Sequence, residues 1–221
     1  MVALVPMRHD SERVPGKNYR PFNGRPLFHH VVSTLLDVER VGEVVIDTDS
    51  PIVMDQVASE FPTVRLIERP RYLRGGDVPM TDVLRHDAEV VDADWYLQTH
   101  TTNPLLEPAT IDRALDRMEA ERAERDSLFS VTRLQTRLFD AAGRPLNHDP
   151  TTLLRTQDLP PVYEENSNLY LFTADQIAAG RRSGDRPILF EMDPLEAVDI
   201  DEEHDFVLAE MLGRLRAGAS S

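Results

Sequence analysis

The residues best equipped for chemistry stand together near the amino terminus: Arg8-His9-Asp10-Ser11-Glu12-Arg13-Val14-Pro15-Gly16-Lys17-Asn18, continuing to Asn23-Gly24-Arg25-Pro26-Leu27. Between residues 8 and 25, five basic residues (Arg8, Arg13, Lys17, Arg20, Arg25) face two acids, Asp10 and Glu12. That is a local charge of +3 in a chain whose formal net charge is −15. Lys17 is also the only lysine among 24 basic residues. A general bias toward arginine accounts for the others and makes the surviving lysine informative, because a compact ammonium suits some phosphate contacts better than a planar guanidinium. Cations and backbone N–H groups around a loop are the usual means of holding a triphosphate, so this loop is a candidate anion site. A solvated polar loop is the alternative that charge alone leaves open. The segment is not a P-loop: GxxxxGK[ST] is absent, and Asn18 follows Lys17.

Other chemistries are excluded by composition. The 221 residues contain no cysteine, which removes disulfides, thiolate nucleophiles and sulfur-based zinc sites. The histidines other than His100 (His9, His29, His30, His86, His148, His204) show no metal spacing such as HExxH, and Ser220 and Ser221 have no base nearby. A pI near 4.8 argues against general nucleic-acid binding. No apolar run approaches the roughly 20 residues of a membrane span, and MVALVPMRHD lacks the layout of a signal peptide. The expectation is a cytoplasmic protein with no nucleic-acid or membrane partner.

The elements that must position the loop follow from the apolar pattern. Val2–Pro6, Glu43–Ile46, Val64–Ile67, Asp94–Leu97 and Leu128–Val131 read as buried strands. Helical patterns over 26–38, 51–60, 79–91 and 107–124 separate them. Strands rich in Val, Ile and Leu between helices of ten or more residues predict an α/β fold, a mostly parallel sheet covered on both faces. Ligands in such sheets bind beyond the carboxyl ends of the strands. Residues 134–163 break the rhythm with four prolines, and a loop of that length is expected to be an excursion from a single domain. Strands at Asn168–Phe172, Arg186–Phe190 and Glu196–Ile200, a short helix from Ala174 and a last helix over 202–216 complete the reading. The tail from Ala217 is expected to fray.

The loop RxxSxRxPGKN followed by NGxPL resembles the opening signature of the CMP-sugar synthetases, the cytidylyltransferases of sialic and related nonulosonic acids, with the CMP-Kdo synthetases as relatives. Further stretches follow in the expected order: VVIDTDS at 44–50, Arg69-Pro70 with Asp77, HTTNPL at 100–105, QDLP at 157–160 with ENSNLY at 165–170, and DID at 199–201 with Asp205-Phe206. The resemblance spans the whole chain. It implies a Rossmann-like nucleotidyltransferase fold and a homodimer, with the excursion at about 134–165 as the dimerisation arm. It also implies transfer of CMP from CTP to the anomeric hydroxyl of an acidic sugar, with magnesium.

By that resemblance Arg8, Arg13 and Lys17 are the catalytic cations on the triphosphate, and Ser11 and Asn18 join them in nucleotide binding. Asp199 and Asp201 hold the metal; at the end of a strand, two residues apart, both would face one side of the sheet. The alternative for that pair is charge at the start of the last helix. Asp77, His100, Thr101, Thr102, Asn103 and Asn166 are the implied acceptor contacts, with Arg155 and Gln157 reaching a neighbouring subunit from the arm. The sequence departs from the family pattern at Glu12, where a lysine is usual, at His100 for glutamine and at Ser167 for glycine. These departures leave open a Kdo-type acceptor or an unrelated one such as a phosphonate. A non-catalytic nucleotide-binding homologue is the reading of a different class, and intact Lys17, Asp199 and Asp201 weigh against it.

Overall fold

Each residue from Val2 to Met7 is buried, as a strand covered on both faces requires. In this computed structural model, which describes residues 1–219, that segment is β1. Strands β4 (Glu43–Thr48), β5 (Arg65–Glu68), β6 (Trp95–Thr99), β7 (Ser127–Leu134), β8 (Val162–Thr173) and β9 (Pro187–Glu191) join it in one sheet of order β5-β4-β1-β6-β8-β7-β9. Only β8 runs antiparallel to its neighbours. The helices are α1 (Leu27–Leu36), α2 (Pro51–Glu60), α3 (Met80–Val90), α4 (Pro108–Glu121), α5 (Ala174–Ala178) and α6 (Glu203–Ala219). Alternation along β1 supplies both faces: Ala3, Val5 and Met7 pack with Val31, Val53 and Ile111 of α1, α2 and α4. Val2 and Leu4 pack with Leu84 and Ile177 of α3 and α5. The α/β expectation is met, and no helix among the described residues is long and apolar enough to cross a membrane.

Three expectations are corrected. Residues 196–200 form no strand. Glu196 is buried, and its carboxylate accepts from the Glu107 N–H (3.0 Å) and the Thr110 hydroxyl (2.7 Å) at the start of α4. A buried acid committed to a helix amino terminus, where the dipole favours negative charge, holds this segment away from the sheet. Asp199 and Asp201 therefore stand on an irregular segment, and their positions do not follow from strand alternation. The polar loop after β1 contains a hairpin of β2 (Pro21–Phe22) and β3 (Arg25–Pro26). Its turn is Asn23-Gly24, with φ of 45° and 91°, the left-handed pair that a two-residue hairpin demands. The last helix continues past residue 216 to Ala219, so fraying is not seen at Ala217; Ser220 and Ser221 lie outside the described residues.

The excursion is the tip of a long hairpin, because β7 and β8 stay paired out to Leu134 and Val162. Both strands exceed their predicted lengths where they leave the sheet and their side chains turn polar. The register shifts beyond Phe129, and Ser167 there adopts φ 55°. Only glycine takes that conformation without steric cost. Ser167→Gly is expected to raise stability by about 0.5–1 kcal/mol, read as a shift of the denaturant midpoint at unchanged slope.

Candidate active site

Order β4-β1-β6 makes β1 the point at which successive connections turn in opposite directions, and open α/β sheets bind ligands in the crevice that results. A cleft of about 450 Å³ lies there, beyond the carboxyl end of β1. Arg8, Ser11, Arg13, Lys17 and Asn18 line one side, and His100, Thr101 and Thr102, following β6, line the other. Asp77 enters from the loop before α3.

The position of Lys17 is set by Pro15-Gly16. The Val14 carbonyl accepts from the Lys17 N–H at 3.1 Å, and Gly16 has φ 66°. A turn with Pro second and a positive-φ residue third is type II. A Cβ on Gly16 would fall 2.8 Å from the Tyr19 ring, so glycine is required twice over. The ammonium donates to the Ile200 carbonyl at 2.6 Å. Burial lowers the Lys17 pKa, while Asp201 and Asp199 oppose that shift. Asn18 is buried, and its amide is used within the protein: Nδ2 donates to the Arg8 carbonyl (2.7 Å), and Oδ1 accepts from the Thr101 hydroxyl (2.6 Å). It ties the two walls of the cleft together.

The local charge of the loop does not survive folding intact. Arg13 pairs with Asp201 at 2.7 Å and lies 3.6 Å from Glu202, and Arg20 pairs with Glu203 at 2.6 Å. Among the described residues the Arg8 side chain has no hydrogen-bond or ion-pair partner, which leaves it available to an anion. The Arg13–Asp201 pair is about half exposed on both sides. Such pairs are worth roughly 0–1 kcal/mol, so this one yields readily to a stronger ligand. The cap of α6 is not Asp201: the Asp205 carboxylate accepts from the Asp201 and Glu202 N–H groups (3.2 and 2.8 Å). Asp199 Oδ1 is buried without a partner. Burial raises the Asp199 pKa, with Thr102 opposing and Asp201 adding to the rise.

Six predicted residues are absent from the cleft wall: Asp199 and Asp201, which adjoin it through Lys17 and Arg13, and four more. Asn103 is buried and donates to the Val198 carbonyl at 3.3 Å. Asn166 sits where the register shifts, with its Oδ1 accepting from the Ser130 hydroxyl at 2.5 Å. Arg155 and Gln157 are exposed on the arm, and Arg155 pairs with Asp158 at 2.7 Å.

Sequence reasoning missed the floor of the cleft. Arg69 lines it yet is only 2% exposed, donating through Nε to the Asp47 carboxylate. Asp87 of α3 faces the same acid, with His86 Nδ1 at 3.5 Å from Asp87. Burial and then the Asp47 charge push Asp87 up to about 8, so the two carboxyl groups share a proton at neutral pH. An acid whose folded pKa is raised binds an extra proton when folded, and stability falls as pH rises from about 4 toward 8. Asp87→Asn is expected to flatten that fall and to gain about 1–3 kcal/mol over wild type at pH 8 relative to pH 5, measured by denaturant unfolding at both. An unchanged slope would contradict the shared proton. Acids inside β4 and α3 were the available signal.

The family described as cytidylyltransferase matches residues 2–218. The chain belongs to the cytidylyltransferase family. This cytidylyltransferase is 28% identical over 236 residues to a protein named CMP-N,N'-diacetyllegionaminic acid synthase from Legionella pneumophila, covering 99% of the present chain and 98% of that one. It is 25% identical over 215 residues to N-acylneuraminate cytidylyltransferase A of Danio rerio, covering 94% of the present chain and about half (49%) of the fish protein. In fold it matches the structure of CMP:2-keto-3-deoxy-manno-octonic acid synthetase complexed with CTP, at TM-score 0.70, 18% identity, and 97% and 98% coverage of the two chains.

Proposed function

We propose that this cytidylyltransferase transfers CMP from CTP to the anomeric hydroxyl of an acidic nonulosonic-type sugar and releases pyrophosphate. The contact between the cleft and the acids beside it carries the reading: Lys17, which lines the cleft with Arg8, donates to the Ile200 carbonyl between Asp199 and Asp201, and Arg13 of the same wall pairs with Asp201, more than 180 residues distant in sequence. The full-length similarity to a legionaminic acid synthase supports the acceptor class. A Kdo-type acceptor is the second reading, favoured by 30% identity over 122 residues, 55% of the present chain and 47% of that one, to the 3-deoxy-manno-octulosonate cytidylyltransferase of Escherichia coli.

In the proposed reaction the acceptor oxygen attacks the α-phosphorus in line, loses its proton to solvent, and the bond to the pyrophosphate oxygen breaks. Such chemistry depends on positioning and charge neutralisation more than on covalent catalysis. Arg8 and Lys17 take the negative charge of the triphosphate and of the departing pyrophosphate. Ser11 contributes a hydroxyl beside them. Asp199 and Asp201 fit a magnesium ion, since Asp199 has a buried oxygen without a partner and two carboxylates plus phosphate oxygens are an ordinary magnesium donor set. When bound, the ion would neutralise phosphate charge. Thr101, whose hydroxyl is committed to Asn18, and Thr102 shape the acceptor side. The hairpin arm, with Leu146 64% and Leu153 87% exposed, is proposed to bury these side chains against a second copy in a homodimer.

Pyrophosphate release with CTP and magnesium, across sialic, legionaminic, pseudaminic and Kdo-type acids, tests the acceptor. Turnover with a nonulosonic acid alone supports the first reading. Turnover with the Kdo-type acid alone replaces it with the second.

A further inference from the structure

Gln98 and Arg182 are polar residues that the proposed reaction does not use, and they join at the acceptor wall. Gln98 is fully buried on β6. Arg182, in the turn after α5, donates through NH1 to Gln98 Oε1 at 3.1 Å. It is anchored by its guanidinium 4.0 Å from the centre of the Tyr170 ring and by Glu165 at 3.6 Å. Tyr170 in turn donates its hydroxyl to Glu165.

The consequence passes through the amide to His100. With Oε1 taken by a donor that has no acceptor form, the Gln98 Nε2 must face the other way. It lies 2.8 Å from His100 Nε2 and 3.5 Å from the Thr99 carbonyl. An amide N–H there requires a lone pair on His100 Nε2, which places the imidazole proton on Nδ1. Burial, then Arg182 and Lys17, push the His100 pKa down to about 4, so the ring is neutral at pH 7. His100 lines the cleft, and its Nδ1 has no hydrogen-bond partner among the described residues.

We propose that Arg182 and Gln98 are positioning residues that fix His100 as the Nδ1–H tautomer, giving the cleft a neutral donor to an oxygen of the acceptor. The proposal rests on the reading of this wall as the acceptor side. The donor selects for an acceptor that presents a hydroxyl or carboxylate oxygen at that point. An acceptor lacking that oxygen would leave the N–H unpaired in a partly buried site, and such mismatches are strongly rejected.

Long-range proton–nitrogen correlation spectra of the histidine-labelled protein at pH 7 read the tautomer directly and need no substrate. Protonated Nδ1 on His100 is the expected result; protonated Nε2 would overturn the proposal. Gln98→Glu keeps the shape and the Arg182 contact but turns an acceptor toward Nε2. It should move the proton to Nε2 and raise KM for the acceptor about tenfold, with KM for CTP unchanged. Arg182→Met frees the amide and should give mixed tautomers with a smaller rise. A moved proton with an unchanged acceptor KM would also overturn the proposal. Failure of every acid to turn over with CTP would instead remove the proposed reaction, leaving the spectrum to decide the tautomer by itself.

Discussion

Replacing Lys17 with Met is expected to lower kcat/KM for CTP by roughly 10²- to 10³-fold, the usual cost of losing one preorganised charge donor, while the protein stays folded. The ammonium is held by the Ile200 carbonyl at 2.6 Å and sits among Asp199, Asp201, Arg13 and Arg8. Its pKa is lowered chiefly by burial, so removing it relieves desolvation and leaves one carbonyl to be satisfied by water. A lysine kept for structure would cost stability when lost; one kept for phosphate would cost turnover. Lys17→Arg is expected to recover little, because the planar fork cannot occupy a turn fitted to a single point donor. Thermal unfolding and steady-state kinetics on both variants separate the two cases. Wild-type kcat/KM in Lys17→Met would remove the lysine from the site.

Asp199→Asn is expected to reduce turnover by at least about 10²-fold and to leave stability equal or higher. The sign follows from burial, which is the largest influence on the Asp199 pKa and disfavours its charged form. An isosteric amide removes that cost. A residue that is unfavourable to the fold and necessary to the reaction is what a ligand carboxylate looks like. Isothermal titration with CTP, compared with turnover on the same preparation, locates the loss. Retained nucleotide binding with lost turnover fits the role proposed for Asp199. Lost stability with retained turnover would make it a structural acid.

The sheet was legible because its strands are apolar on both faces. Val2–Met7 is buried at each position, and short helical patterns between such runs leave few alternatives to a parallel sheet. The misread segment, 196–200, shows the limit. Its residues alternate acceptably for a strand, but Glu196 is held by Glu107 and Thr110, some 90 residues earlier, and no local pattern reports that contact. Charge counting along the chain erred for a related reason. Arg13 and Arg20 of the first loop meet Asp201, Glu202 and Glu203 in space, so Arg8 and Lys17 rather than the whole loop are left to serve an anion. Arg69 went unnoticed as a cleft residue because its partner, Asp47, becomes adjacent only when β4 and β5 pair. Gln98 and Arg182, 84 positions apart, meet through the folding of β6 against the turn after α5.

The central claim is nucleotidyl transfer at the end of β1, and pyrophosphate release from each of the four ribonucleoside triphosphates tests it most directly. The assay contains magnesium and the acid that supports turnover, with the product identified by phosphorus NMR. Release from CTP, accompanied by a phosphodiester joining CMP to the anomeric carbon, is the predicted result. Preference for another triphosphate, or pyrophosphate formed without a CMP-sugar by the folded protein, would contradict it.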